Sequence, residues 1–174
     1  SITIGLFLAS MGLGAWISRA VVDQLLERFI ALELWLAAIG GFSVPILYFA
    51  YLYTDTFRYW MLLLIVTIGA LVGLELPLLT RMLQKNGGLR TVLSNVLSID
   101  YLGSLAAALL FPYLLLPLLG AFNTSLTAGL LNVAVGLVLL VAFWSQLVRG
   151  PRMRLLALGI VVTSALGLSL VTAD

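Results

Sequence analysis

Histidine and cysteine are missing from all 174 residues, and only 9% of the chain is charged. Without cysteine there is no disulfide, no thiolate nucleophile and no cysteine-rich zinc site. Without histidine there is no imidazole to move protons near neutral pH. The shortage of charge excludes more. A water-soluble domain carries about a quarter of its residues as charged ones, so this chain has too few to cover a surface facing water. Soluble enzymes, disordered segments and nucleic-acid-binding domains are excluded together. Nine Lys and Arg against seven Asp and Glu leave a net charge of +2, and so few basic residues matter by position rather than by sum.

What fills the chain is apolar, with 63% hydrophobic residues and a mean hydropathy of +1.19. A helix crosses a hydrocarbon core of about 30 Å with about 20 mostly apolar residues. Six segments approach that length: roughly Ile2 to Ser18, Phe29 to Tyr53, Phe57 to Thr80, Val92 to Leu119, Thr124 to Leu147 and Leu155 to Thr172. These runs are too long and unbroken for the strands of about 10 residues that build a barrel. The expected fold is all-α, a polytopic transmembrane bundle of about six spanning helices in one domain covering residues 1–174. Turn-forming residues fall between the spans at Asp55, Asn86-Gly87-Gly88, Gly120 and Gly150-Pro151. The chain opens on Ser1 and enters an apolar run with no basic segment before it, which is not the pattern of a signal peptide. It stops at Asp174, directly after another apolar run. It reads as a piece of a longer protein.

Basic residues are unevenly placed. The first, third and fifth connections hold Arg19, Arg28, Arg81, Lys85, Arg90, Arg149, Arg152 and Arg154, and the opposite side holds only Arg58. The positive-inside rule puts the eight-charge side in the cytoplasm, as in a bacterial inner membrane, and both ends of the chain outside. The outer end of the second and third segments carries Tyr48, Phe49, Tyr51, Tyr53, Phe57, Tyr59 and Trp60. Such rings favour the headgroup level, where an apolar body and a polar tip are both satisfied. The Arg149 to Arg154 cluster reads most simply as a topology signal, the functional alternative being contact with anionic headgroups.

Small residues four apart let membrane helices approach closely. Gly69 with Gly73, Gly103 with Ala107, and Gly159, Thr163 and Gly167 have that spacing and read as packing positions. Asn123, Asn132 and Gln146 read as hydrogen-bonding residues at helix ends or between helices.

Three acids lie within apolar runs: Glu33, Glu75 and Asp100. An Asp at the centre of a membrane helix costs about 2.5 to 3.5 kcal/mol on the insertion scale, so each requires a reason. Glu33 lies five residues past Arg28, Glu75 six before Arg81 and Asp100 ten past Arg90. At about 1.5 Å per residue that is roughly 7 to 15 Å from the basic side, placing all three in the same half of the membrane. An acid-lined pocket there suits a cation or a proton. The plainer readings are that Glu33 is a boundary residue and that Glu75 and Asp100 pair with Arg19, Arg81 or Arg90 to fix helix register. Pro77 lies two residues after Glu75 and frees the carbonyl of Gly73, while Pro112 and Pro117 free those of Ala108 and Tyr113. Kinks beside polar groups line cavities in some transporters. No phosphate-binding loop is present, since Gly12-Leu13-Gly14 follows no strand.

Several stretches have a family likeness. Ile4-Gly5-Leu6-Phe7-Leu8-Ala9-Ser10-Met11-Gly12-Leu13-Gly14-Ala15-Trp16-Ile17-Ser18-Arg19 resembles the second membrane helix of bacterial membrane-bound spermidine synthase-like proteins. Gly73-Leu74-Glu75-Leu76-Pro77-Leu78-Leu79-Thr80-Arg81 is similar to that family's Gly-x-Glu-Ile/Leu-Pro-Leu-Leu segment. Leu97-Ser98-Ile99-Asp100-Tyr101-Leu102-Gly103-Ser104, followed by Leu110-Phe111-Pro112, is similar to its next helix. The resemblance implies one more helix before Ser1 and a fused soluble transferase domain after Asp174. That domain would move an aminopropyl group from decarboxylated S-adenosylmethionine to putrescine, giving spermidine. Its cofactor loop and catalytic acids lie outside these residues, so no catalytic residue, cofactor or metal is expected in this chain.

The expected role is the membrane domain that anchors and serves such a transferase, with the bilayer, a polyamine and the fused domain as partners and no nucleic acid. Glu75 and Asp100, with Glu33 as the outer member, are the candidates for binding a polyamine's ammonium groups. The outward end at Asp174 sits awkwardly with substrates made in the cytoplasm. A different reading is a secondary transporter of a small cation or polyamine with these acids as its coupling site, and a third is a purely structural scaffold.

Overall fold

An apolar segment away from water must satisfy its backbone N–H and C=O groups internally, and a helix does so within one segment. The computed structural model describes residues 2–84 and 88–172, and among these the chain is helical with no strand. The helices are α1 (Ile2–Ile17), α2 (Leu25–Gly41), α3 (Ser43–Tyr53), α4 (Phe57–Leu83), α5 (Leu89–Leu110), α6 (Leu116–Ala142) and α7 (Arg149–Val171). Gly88 directly precedes α5, whereas Asn86 and Gly87 of the expected turn lie outside the described residues, as do Ser1, Lys85, Ala173 and Asp174.

Among the described residues, five stretches are long and apolar enough to cross a membrane: Ile2–Ala20, Leu25–Tyr53, Phe57–Leu83, Leu89–Ala142 and Arg149–Val171. The expected number is about six. The difference arises between Leu89 and Ala142, counted as one stretch although it holds the break expected at Gly120; upstream of that break α5 passes into α6 through a π-helical turn at Phe111–Leu115. Two features make this join possible. Pro112 and Pro117 lack the N–H that would close the preceding helical turns, and the chain widens there rather than ending. Gly120 then leaves the helical conformation, with φ 71° and ψ 170°, and kinks the chain. The Thr124 hydroxyl donates to the Leu115 carbonyl at 3.1 Å, tying the two sides of the bend. Gly150 and Pro151, expected to separate two spans, instead sit in the first turn of α7, where a proline's missing N–H has no helical partner to lose.

Helix α2 is the centre of the bundle. One of its sides buries Ile30, Leu34 and Ala37 with Leu126, Val133 and Leu140 of α6 and Leu155, Val162 and Leu166 of α7. Phe29, Leu32 and Leu36 bury against Leu78 of α4. Helix α1 lies along α4 and is otherwise largely exposed. Their contact uses the expected Gly69 and Gly73: a Cβ on Gly69 would come 2.9 Å from the Phe7 carbonyl oxygen, and one on Gly73 would collide with the Met11 backbone. Gly14 meets Ala70 just as closely. Gly159 similarly faces Leu137, at 2.8 Å from an added Cβ. Gly103 and Gly167 were expected to pack and do not, because each faces open space within the chain. The chain from Ser98 to Leu114 is exposed throughout.

The aromatic residues gather as expected. Tyr48, Phe49, Tyr51, Tyr53, Tyr59 and Trp60 are exposed at the α3–α4 turn, and Phe49 stacks on Tyr53 with ring centroids 6.1 Å apart.

Candidate functional site

Glu33 is carried by the central helix, between the residues that bury against α4 and those that bury against α6 and α7. It is only 7% exposed, so the boundary-residue reading is corrected. A boundary residue keeps its head in water, and this one is enclosed because α2 is packed on several sides. On its α6 side it lies against Gly136, where an added Cβ would stand 3.5 Å from the Cβ of Glu33. Glycine at 136 thus lets a second backbone come close to the acid.

Glu75 is half-buried on α4, and Asp100 is exposed on α5. Glu75 lies within electrostatic range of both Glu33 and Asp100. Glu75 is thus the acid that each of the other two reaches, Glu33 from α2 and Asp100 from α5, in a series that runs from buried through half-buried to exposed. When ionised, Glu75 is repelled by each of them. A cation or bound protons would relieve that repulsion.

The alternative pairing, of Glu75 or Asp100 with Arg81, does not form. The Arg81 guanidinium donates from Nη2 to the Ser18 carbonyl at 2.7 Å and from Nη1 to the Val21 carbonyl at 2.8 Å. Its Nε donates to the Pro77 carbonyl at 3.2 Å. The residue satisfies the open end of α1, because the last carbonyls of a helix lack partners within it and favour a cation. Arg152 is similarly engaged, 4.3 Å above the Trp144 ring and donating to that residue's carbonyl. Asn123, expected to hydrogen-bond, has a buried Oδ1 without a partner.

Glu27 escapes a reading based on hydropathy. It sits in the first turn of α2, where an acid is ordinarily a dipole-favoured surface residue. Instead its Oε1 accepts the backbone N–H of Val148 at 3.1 Å, capping α7 from a helix 121 positions earlier. No local motif signals such a contact, since the two segments meet only in the folded bundle.

Comparison with known proteins adds a family context. No family model matches the chain, and no solved structure matches it. Curated relatives do match over most of its length. A polyamine aminopropyltransferase of Leptospira interrogans is 42% identical over 137 residues, covering 79% of this chain and 28% of the relative. Polyamine aminopropyltransferase 2 of Ralstonia nicotianae is 42% identical over 154 residues, covering 87% and 30%. Polyamine aminopropyltransferase 1 of Streptomyces coelicolor is 32% identical and covers all of this chain and 33% of the relative. The chain thus spans about a third of the length of these relatives. The homologues' names give it a link to spermidine synthase-like transferases and do not favour the transporter reading.

Proposed function

We propose that this chain is the membrane-embedded domain of a polyamine aminopropyltransferase-like protein, anchoring a transferase domain that lies outside it and binding a polyamine at Glu33, Glu75 and Asp100. The observation that carries the binding role is the electrostatic grouping of three acids from three helices beside a chain whose relatives are named for polyamine chemistry. A linear polyamine offers ammonium groups separated by methylenes. An exposed acid, a half-buried one and a buried one give such a molecule successive counter-charges from the surface inward, where a lone buried carboxylate is costly and a paired one is not.

The membrane role is supported by the five apolar stretches and the exposed aromatic cluster at the α3–α4 turn. Reading 89–142 as two passes that reverse at Gly120 gives six crossings, with the basic connections on the cytoplasmic side of a bacterial inner membrane. The transferase domain follows Asp174 in this reading. The test is spermidine binding to the protein in nanodiscs, with Glu75→Gln and Asp100→Asn combined. Loss of binding is expected, and unchanged binding would end the polyamine role of these acids while leaving the anchoring role standing.

A further inference from the structure

The starts of α2 and α7 are joined through Glu27, whose Oε1 accepts the Val148 N–H at 3.1 Å. Arg28 and Arg149 each follow one of these residues directly, and both are exposed. Arg152 and Arg154 lie within the first two turns of α7, so four arginines gather around one junction. The acids nearby are Glu27, which is buried and engaged, and Asp23, which is exposed. Four cations against these two acids leave the junction positive.

Arg152 is held in place by the chain itself. Its guanidinium lies 4.3 Å above the Trp144 ring, and its Nη1 donates to the Trp144 carbonyl at 3.3 Å. Trp144 in turn packs against the core cluster that holds Leu147 and Leu155. The Arg152 Nε is enclosed, whereas Nη2 is neither enclosed nor bonded to a described residue. An arginine fixed in this way loses little further freedom when its remaining N–H groups meet an oxyanion. Arg149 lies three positions earlier, the spacing at which side chains are neighbours on a helix surface.

An apolar strip continues from that pair. Residues four and eleven positions after Arg149 share its face of the helix, and these are Met153 and Ile160, 53% and 55% exposed. At about 1.5 Å per residue they lie roughly 6 and 16 Å further along α7. A small oxyanion would use the arginines and leave this strip bare. A glycerophospholipid uses both, with its phosphate at the guanidinium groups and its acyl methylenes along the strip. A headgroup of net negative charge is selected, because a zwitterionic one brings a cation of its own to the four arginines.

We propose that the α2–α7 junction binds an anionic glycerophospholipid, with its phosphate at Arg149 and Arg152 and an acyl chain along Met153 and Ile160. The site rests on the membrane placement proposed above and is independent of the Glu33, Glu75 and Asp100 group.

The test leaves Trp144 as the sole tryptophan, through Trp16→Phe, Trp35→Phe and Trp60→Phe. Its fluorescence is read in phosphatidylcholine nanodiscs doped with lipid brominated near the headgroup end of the chains. Brominated phosphatidylglycerol is expected to quench at a mole fraction roughly fivefold or more below that of brominated phosphatidylcholine, the size of one arginine's attraction to an anionic headgroup. Combined Arg28→Gln and Arg149→Gln, which leave the Arg152–Trp144 stack in place, should remove that preference. Combined Arg19→Gln and Arg90→Gln take the same charge from the same side of the membrane and should leave it intact. Equal loss in the two pairs would reduce the junction to diffuse surface charge and overturn the site. Equal quenching by the two lipids would overturn it with the membrane placement standing, and quenching by neither would overturn both together. Inorganic phosphate should displace no more lipid than sodium chloride of equal ionic strength, and stronger displacement would mean a free-anion site in its place.

Discussion

Arg81 at the end of α4 donates to the carbonyl of Ser18 at the end of α1, 63 positions away, at 2.7 Å. That single contact fixes how far α1 can slide along α4, because the guanidinium also holds Val21 and Pro77 and has little freedom left. Arg81→Ala is expected to destabilise the bundle by about 2 kcal/mol, from charge-assisted hydrogen bonds lost at a half-buried site. Arg81→Lys should recover only part of this, since a point charge cannot address three separate carbonyls in a fork. Thermal unfolding in a fixed detergent checks both, and a lysine variant as stable as the parent would contradict the fork argument.

Glycine substitutions along one chain should separate crowding from free space. Gly73→Ala puts a methyl into the Met11 backbone, which cannot move aside as a flexible side chain can, and a loss of about 1 to 3 kcal/mol is expected. Gly103→Ala meets nothing within 4 Å and should be neutral or stabilising by up to about 1 kcal/mol, through helix propensity. Equal effects in denaturation of the two variants would remove the α1–α4 packing argument.

Gly120→Ala isolates a different cause. Space is open around Gly120, yet its φ of 71° and ψ of 170° suit glycine alone. The expected loss is about 1 to 3 kcal/mol from backbone strain without any clash. Thr124→Val should cost about 1 kcal/mol through the missing bond to Leu115. Hydrogen exchange in residues 111–124 should rise in both variants if the bend depends on these two features.

The opposite sign is expected at Gln24. Replacing it with glycine relieves a left-handed conformation at φ 54° and should raise stability by up to about 1 kcal/mol. A fall in melting temperature would mean that the Gln24 side chain holds the α1–α2 turn in a way its backbone does not reveal.

Much of this architecture was legible in the residues. Long apolar runs dictate helices, and Gly69 with Gly73 announced a close crossing that forms with α1. The same spacing at Gly103 announced one that does not form, because small-residue spacing says that a neighbour can approach and never that one is present. The most closely approached glycines of α6, Gly129 against Ala37 and Gly136 against Leu34, carried no signal beyond their identity. Their role depends on which helix α2 meets, and hydropathy cannot choose among apolar partners. The acids Glu33, Glu75 and Asp100 stood out because charge is rare in such runs. Glu27 did not, since it sits at a helix start where acids are ordinary. Its partner is a backbone group whose position only the assembled bundle fixes.

The place of α2 also has a consequence for the order in which the protein is made. Chains leave the ribosome N-terminus first, so α2 is delivered well before α6 and α7. During that interval Glu27 has no Val148 to cap, and Ile30, Leu34 and Ala37 have no apolar neighbours from the second half of the chain. The α1–α4 pair needs nothing made later: its glycine crossing and the Arg81 clasp are complete once residue 81 has emerged. Assembly from that nucleus would close the N-terminal half first and leave α2 with one finished side and one waiting side until the last helix arrives.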